Sequence, residues 1–297
     1  MALLGPRLAA VAAYVPEGAK LGDIGTDHAY LPVVLCEEGR IQSAVAVDVH
    51  RGPYEAALAT VRGRGLGEKI SVRLGDGLSP LSPGEVDTLT LAGMGGNTMT
   101  DILSDRPEIL AEVSALILQP QGAESRVRGG LLTTGWLLKD EVLIEEEGKI
   151  YVVMAFAKEQ SRPSIGRGKH LDFLSFRDLN EIAEDWVGHL TDIGAEKLRG
   201  LNSTHPGGEV DKLFEDSVRT LVWQLGPLIL AKPNPLLRRL LEERIGELER
   251  RLAEMKKARS PGASERTMAT LGQKLACEAM ALALDAVQGY CGRKEEN

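Results

Sequence analysis

Between residues 20 and 158, short β-rich runs alternate with helical stretches, and this alternation constrains the fold more than any other feature of the 297-residue chain. The runs 20–24, 44–47, 70–74, 88–91 and 115–118 read as strands, and 44–47 and 115–118 are continuously apolar. Helices are predicted over 29–38, 53–62, 97–104 and 124–133. Apolar strands between helices imply an α/β fold with a parallel sheet covered on both faces. The rhythm then breaks. Runs 137–145 and 149–157 are joined by Glu146-Glu147-Gly148, which leaves no room for a helix. They form a hairpin, which makes one edge strand antiparallel.

An apolar start, 1–15, reads as a short helix stopped by Pro16 and Gly18 rather than a signal peptide, because a strand-and-glycine motif follows within a few residues. No run reaches the roughly 18 apolar residues of a membrane span. Cys36, Cys277 and Cys291 are far apart and lack CxxC spacing, so neither a disulfide framework nor a zinc site is expected, and no metal is assigned. The net charge of −8 disfavours a protein that coats nucleic acid without specificity, since phosphate contacts need clustered Lys and Arg. These features place the chain in the cytoplasm, without a membrane partner. Beyond 157 the composition shifts. Residues 161–169 read as a linker, and 172–200 and 210–225 as helices separated by the breaker 202–208. Leu237, Leu241, Ile245, Leu248, Leu252 and Met255 then follow heptad spacing, and Met268, Leu271, Leu275 and Leu282 repeat it. Two such helices predict an antiparallel hairpin. The expected segments are 1–158, a helical insertion 159–225, and a coiled-coil hairpin 226–297. The heptads can pair within or between chains, with a monomer favoured.

Chemistry concentrates where strands end. Leu21-Gly22-Asp23-Ile24-Gly25-Thr26-Asp27-His28 falls where the first strand turns into the first helix. A pyrophosphate loop would want G-x-G-x-x-G. This loop lacks that spacing and carries two carboxylates, which repel a diphosphate and suit a sulfonium and an ammonium. It therefore favours S-adenosylmethionine over NAD. Asp48, with Val49 beside it, ends the second strand 25 residues after Asp23. It can accept ribose hydroxyls, or it can simply cap the next helix. Gly75-Asp76-Gly77 can hold an adenine amino group or form an ordinary turn. Gly93 and Met94, in Ala92-Gly93-Met94-Gly95-Gly96, clear space at the end of the fourth strand, although Met94 can also be core. Gln119, ending the fifth strand, faces the same rim. The N/D-P-P-Y/F signature of many amino-group methyltransferases is absent.

Five parallel strands closed by a hairpin is the layout of a Rossmann-like class I methyltransferase. Arg7-Leu8, the run from Asp23 to Pro32, Gly52-Pro53, Ile70-Ser71-Val72-Arg73, Gly75-Asp76-Gly77, Ala92-Gly93-Met94-Gly95-Gly96, the run from Leu116 to Pro120 and the run from Glu146 to Tyr151 together resemble the bacterial tRNA (adenine-22-N1)-methyltransferase family, TrmK. The resemblance covers about residues 3–158, and 162–223 have no counterpart in it. Family members often have Glu where Asp48 stands. The resemblance implies a C-terminal coiled coil and tRNA as substrate. It implies Asp27 as a catalytic-site carboxylate, and Asp23, Gly25, His28, Asp48, Asp76, Gly77, Gly93 and Met94 as cofactor-site residues. Asp27 and Val49 are also assigned to the cofactor site. Arg7, Gln119, Arg126 and Arg128 are expected to contact the RNA. A methyltransferase of another RNA, a protein or a small molecule, and a non-catalytic coiled-coil module, are the competing expectations.

Overall fold

The computed structural model describes residues 4–158, 173–202, 209–257 and 263–292. The chain divides into two compact units, Met1–Phe176 and Arg177–Asn297. The expected linker 161–169, most of the breaker 202–208, and the start of the N-terminal helix lie outside the described residues.

In the first unit the order is α1 (Pro6–Tyr14), β1 (Ala19–Ile24), α2 (Tyr30–Glu37), β2 (Ile41–Asp48), α3 (Arg51–Gly63), β3 (Ile70–Leu74) and β4 (Thr88–Met94). Then follow α4 (Gly96–Asp105), α5 (Pro107–Glu112), β5 (Ala115–Pro120), α6 (Glu124–Thr133), β6 (Trp136–Glu146) and β7 (Lys149–Lys158). The sheet order is β3-β2-β1-β4-β5-β7-β6. The first five strands pair in parallel, and β7 pairs antiparallel with both β5 and β6. This is the Rossmann-like sheet that the alternating pattern implies.

The hairpin differs from expectation in one respect. The strand running against the others is β7, which lies one place in from the edge, while β6 forms the edge itself. Burial explains the arrangement. Val152 to Ala157 are buried at every position, so β7 needs cover on both faces and neighbours on both sides. In β6, by contrast, Lys139, Glu145 and Glu146 interrupt the apolar positions, a composition suited to a rim. Leu174 pairs with Leu138 of β6 through two backbone hydrogen bonds of 2.8 and 2.9 Å.

Sheet order reverses about β1, which has β2 on one side and β4 on the other. Ligands in open α/β sheets bind beyond the carboxyl ends of the strands at such a switch point. Leu21, Ile24, Ala46, Val47, Leu89 and Leu91 are all buried and hold these three strands rigid beneath that rim.

The second unit is helical: α7 (Phe176–Asn202, whose first residue belongs to the first unit), α8 (Glu209–Leu225), α9 (Pro227–Ala231), α10 (Pro235–Lys257) and α11 (Ala263–Gly292). Helices α10 and α11 run antiparallel, since Arg238 pairs with Asp285 (3.2 Å) and Glu249 with Lys274 (3.2 Å). α11 also packs along α8, so the expected insertion and the expected hairpin share one compact unit. This widens the buried face of α11. Ala276, Ala279, Met280, Ala283 and Leu284 are buried, while Leu282, expected in the heptad seam, is 46% exposed. Packing against two helices requires a broader stripe than a two-stranded seam. Among the described residues, no helix is long and apolar enough to cross a membrane.

Candidate functional site

The loop between β1 and α2 is shaped by three left-handed residues, Gly25 (φ +73°), Asp27 (φ +51°) and Ala29 (φ +56°). Glycine adopts this region freely and Asp tolerates it, while for Ala it is strained. Strain of this kind persists where the surroundings over-determine it. Here they do so by hydrogen bonding. The N–H groups of Gly25 and Thr26 both donate to the Val47 carbonyl, at 2.9 and 3.0 Å. That of Asp27 donates to Asp48 Oδ2 (3.1 Å), and the other Asp48 oxygen accepts from the His50 N–H (2.9 Å). The loop is thus wrapped around the end of β2, and Asp48 is held by two backbone donors with lone pairs to spare.

Asp23 sits beneath the loop, 6% exposed. Thr26 Oγ1 donates to its Oδ2 (2.6 Å) and Thr90 Oγ1 to its Oδ1 (2.7 Å). Thr90 is its direct neighbour across the β1–β4 ladder. Neither donor carries charge. Burial pushes the Asp23 carboxyl above the ordinary Asp value, the two hydroxyls offset part of that rise, and the nearby Asp48 adds to it. Protons therefore bind the folded state more tightly than the unfolded one. The stabilising contribution is complete below the ordinary Asp range and is lost as pH rises through the raised value. Thermal unfolding from about pH 4 to about pH 7 is expected to show the wild type losing ground to Asp23→Asn as pH rises; a pH-independent difference would show that this carboxyl is not shifted.

Next to Asp23, β4 carries a register shift between Ala92 and Met94. Gly93 is left-handed there (φ +78°), and its N–H donates to the side-chain oxygen of Gln119 (3.0 Å). Gln119 is fully buried and donates in turn to the Pro120 carbonyl (3.0 Å). Its oxygen also accepts from Arg7 Nη1 (2.8 Å). Glu146 holds Arg7 through both the backbone N–H (3.2 Å) and Nε (3.0 Å), and the guanidinium lies 5.6 Å from the Tyr151 ring centroid. A bulge beside a site re-aims side chains. This one turns Met94 toward the β1 loop, where a Cβ on Gly25 would lie 2.8 Å from Met94 Cε.

Two cavities open over these strand ends. One, of about 290 Å³, is lined by Gly25, Asp48, Val49, Asp76, Gly77, Gly93 and Met94, among others. The second, of about 320 Å³, is lined by Arg7, Asp23, Gly25, Thr26, Asp27, His28 and Tyr30, among others. They share Gly25, Ala92 and Gly93 and form one cleft with two lobes. A larger cavity of about 570 Å³ lies between α4, α5 and α6. Its lining has no carboxylate, and it sits by Lys158, at the amino end of β5 where Ala157 pairs with Ala115. Asp23, Asp27, Asp48 and Asp76 line the cleft at the other end of the sheet.

The structure therefore brings Asp23, Gly25, Asp27, His28, Asp48, Val49, Asp76, Gly77, Gly93, Met94 and Arg7 to one cleft. It does not bring the other expected RNA contacts there. Arg128 requires correction. It is fully buried, and its Nε and Nη2 donate to Glu141 Oε2 at 2.9 and 2.7 Å, also fully buried. A guanidinium in that position cannot reach a phosphate. Arg126 is exposed in the first turn of α6 but lines neither lobe. Gln119 lies beneath the rim rather than at it. Sequence reasoning missed Thr26 and Thr90, which hold Asp23, and Glu146 and Tyr151, which hold Arg7. Thr26, three residues after Asp23, had a local signal; Thr90 becomes visible only through strand register.

Residues 4–154 match the methyltransferase-domain family. The chain belongs to that family. It is 42% identical over 151 residues to the tRNA (adenine(22)-N(1))-methyltransferase of Bacillus subtilis strain 168, a match covering 51% of this chain and 63% of the relative. The match thus spans less than two thirds of that relative's length. Among solved structures, the methyltransferase-family fold recurs in Streptococcus pneumoniae Sp1610, described as a candidate tRNA (m1A22) methyltransferase and solved with S-adenosyl-L-methionine. That chain is 28% identical with a TM-score of 0.66, covering 93% of this chain and 98% of the other. A Streptococcus agalactiae protein of the NADB-Rossmann superfamily is 25% identical with a TM-score of 0.68, covering 94% and 98%.

Proposed function

We propose that this chain is an S-adenosylmethionine-dependent methyltransferase acting on N1 of an adenine in tRNA, at position 22. The observation that carries the reading is Asp23, a deeply buried carboxyl at the switch point whose hydrogen-bond donors are both neutral. Such a group suits a ligand that brings positive charge, and it opposes a diphosphate. The likeness to the Bacillus subtilis and Streptococcus pneumoniae proteins supports the same donor and substrate.

When bound, S-adenosylmethionine supplies an electrophilic methyl on a cationic sulfur, so the transfer asks for no metal. Asp23 would balance its ammonium. Asp48, already oriented by two backbone N–H groups, would accept its ribose hydroxyls, and Asp76 its adenine amino group. Val49, 52% exposed in the same lobe, offers apolar surface to the adenine face. The N1 lone pair of neutral adenine needs no strong base, so positioning and charge complementarity supply the rate. Asp27, largely exposed at the mouth, would accept from the target amino group and stabilise the positive charge that grows on the base. Tandem duty within one chain also fits the helical unit: α10 spends its apolar face on α11, which supports a monomer, working in the cytoplasm where tRNA is modified.

Asp27→Asn tests this, because Asn keeps the left-handed backbone and the shape but not the charge. Transfer of tritiated methyl to tRNA is expected to slow about a hundredfold or more, with S-adenosylhomocysteine affinity retained in calorimetry. Undiminished transfer would remove Asp27 from the mechanism. Nucleoside mapping of the product tRNA by mass spectrometry identifies the base, and methyl found elsewhere would reassign the substrate.

A further inference from the structure

We propose that Tyr30, stacked on His28 at the lip of the cleft, is the platform that receives the target adenine after it leaves the tRNA stack. The inference rests on the reading of the chain as a tRNA adenine-N1 methyltransferase. The two rings lie nearly parallel, 9° apart, with centroids separated by 5.2 Å. Tyr30 is 43% exposed, although only 4% of the chain is aromatic and such surface is scarce. Both rings line the lobe that contains Asp23, Asp27 and Arg7. His28 Nε2 lies 3.6 Å from Asp27 Oδ1, so the stack is tied to the carboxylate proposed to meet the base.

The location is built from the backbone. Ala29 is left-handed and fully buried, and its N–H donates to the Thr26 carbonyl (2.9 Å). Tyr30 follows as the first residue of α2, beyond a turn that the core holds in place. An open ring on a rigid anchor offers a flat face that a base can cover without reorganising the protein. Adenine N1 lies on the Watson–Crick edge, so the target cannot be held in a Watson–Crick pair, and a target drawn into the cleft gives up its stacking. An aromatic face at the mouth restores that stacking with little sequence selectivity. The carboxylate beside it then selects for the amino group.

Full-length protein carrying Tyr30→Ala, Tyr30→Phe or Tyr30→Trp is compared with wild type for tRNA methylation, S-adenosylhomocysteine affinity and thermal midpoint. Loss of one base–aromatic stack corresponds to roughly 5- to 150-fold. Tyr30→Ala is expected to lower kcat/KM for tRNA by an amount in that range, at least about fivefold, with cofactor affinity and thermal midpoint close to wild type. Tyr30→Phe and Tyr30→Trp, which keep a ring, are expected to restore most of the loss. Full activity of Tyr30→Ala in an enzyme that methylates tRNA overturns the platform and leaves the proposed function standing. A loss of cofactor affinity matching the loss of turnover also overturns it, by making Tyr30 a wall of the cofactor site. A wild-type protein that leaves tRNA adenine unmethylated brings down both.

Discussion

Arg128→Ala is expected to destabilise the first unit by about 3–5 kcal/mol, read as a lowered midpoint in urea unfolding. The reason is asymmetry. Arg128 and Glu141 are both fully buried and joined by two hydrogen bonds, linking α6 to β6. Removing the guanidinium leaves a buried carboxylate without the cation that donates to its Oε2. Domains have only about 5–15 kcal/mol in hand, so this is about a fifth or more of the total. The double variant Arg128→Met with Glu141→Leu removes both charges and keeps the volume, and it should recover most of the loss, because well-packed apolar groups often replace a buried pair at no cost. The salt dependence of tRNA binding by the double variant should match wild type. A stable Arg128→Ala protein with weakened tRNA binding would instead return Arg128 to the RNA surface.

Asp48→Ala is expected to weaken S-adenosylhomocysteine binding by at least about a hundredfold in calorimetry. A hydrogen bond to a charged group contributes about 1.5–3 kcal/mol, and the proposed role involves two. The effect is compounded by the loop: the same carboxylate accepts the N–H groups of Asp27 and His50, which the variant leaves without that partner. Asp48→Glu separates these contributions. It keeps the charge and reaches one methylene further, so it should retain much of the affinity while shifting the Asp27 backbone. Binding by Asp48→Ala equal to wild type would reduce Asp48 to a loop anchor.

Strand existence was legible because apolar runs and helical stretches differ in period, and the acidic loop because its two carboxylates contradict a phosphate site. Strand order in the hairpin was harder to read. A three-residue turn says that two runs pair, but not which one lies against β5. The unbroken apolar run Val152-Val153-Met154-Ala155-Phe156-Ala157 marked the interior strand, and the charges of β6 marked the rim. Arg128 reads, like Arg126 two residues before it, as a basic residue near the rim. Its neighbours Val127, Leu131 and Leu132 are buried on the same turn face, and that spacing pointed inward. Thr90 could not be found locally, and for Gln119 only the place near the rim was legible and not its hold on Gly93, since each acts on a residue of another strand. Arg7 was found by resemblance, but the roles of Glu146 and Tyr151 in holding it emerge only when the ends of the first unit meet.

The placement of β6 bears on how crowded chains behave toward one another. A sheet rim is a template to which a second molecule can add its own strand. Here one rim, β3, is five residues long. At the other, β6 breaks register between Leu138 and Asp140, carries charges along its length, and has its beginning occupied by Leu174. Neither offers the long flat ribbon on which intermolecular growth starts, so the hairpin that closes the sheet also guards newly made protein against clumping.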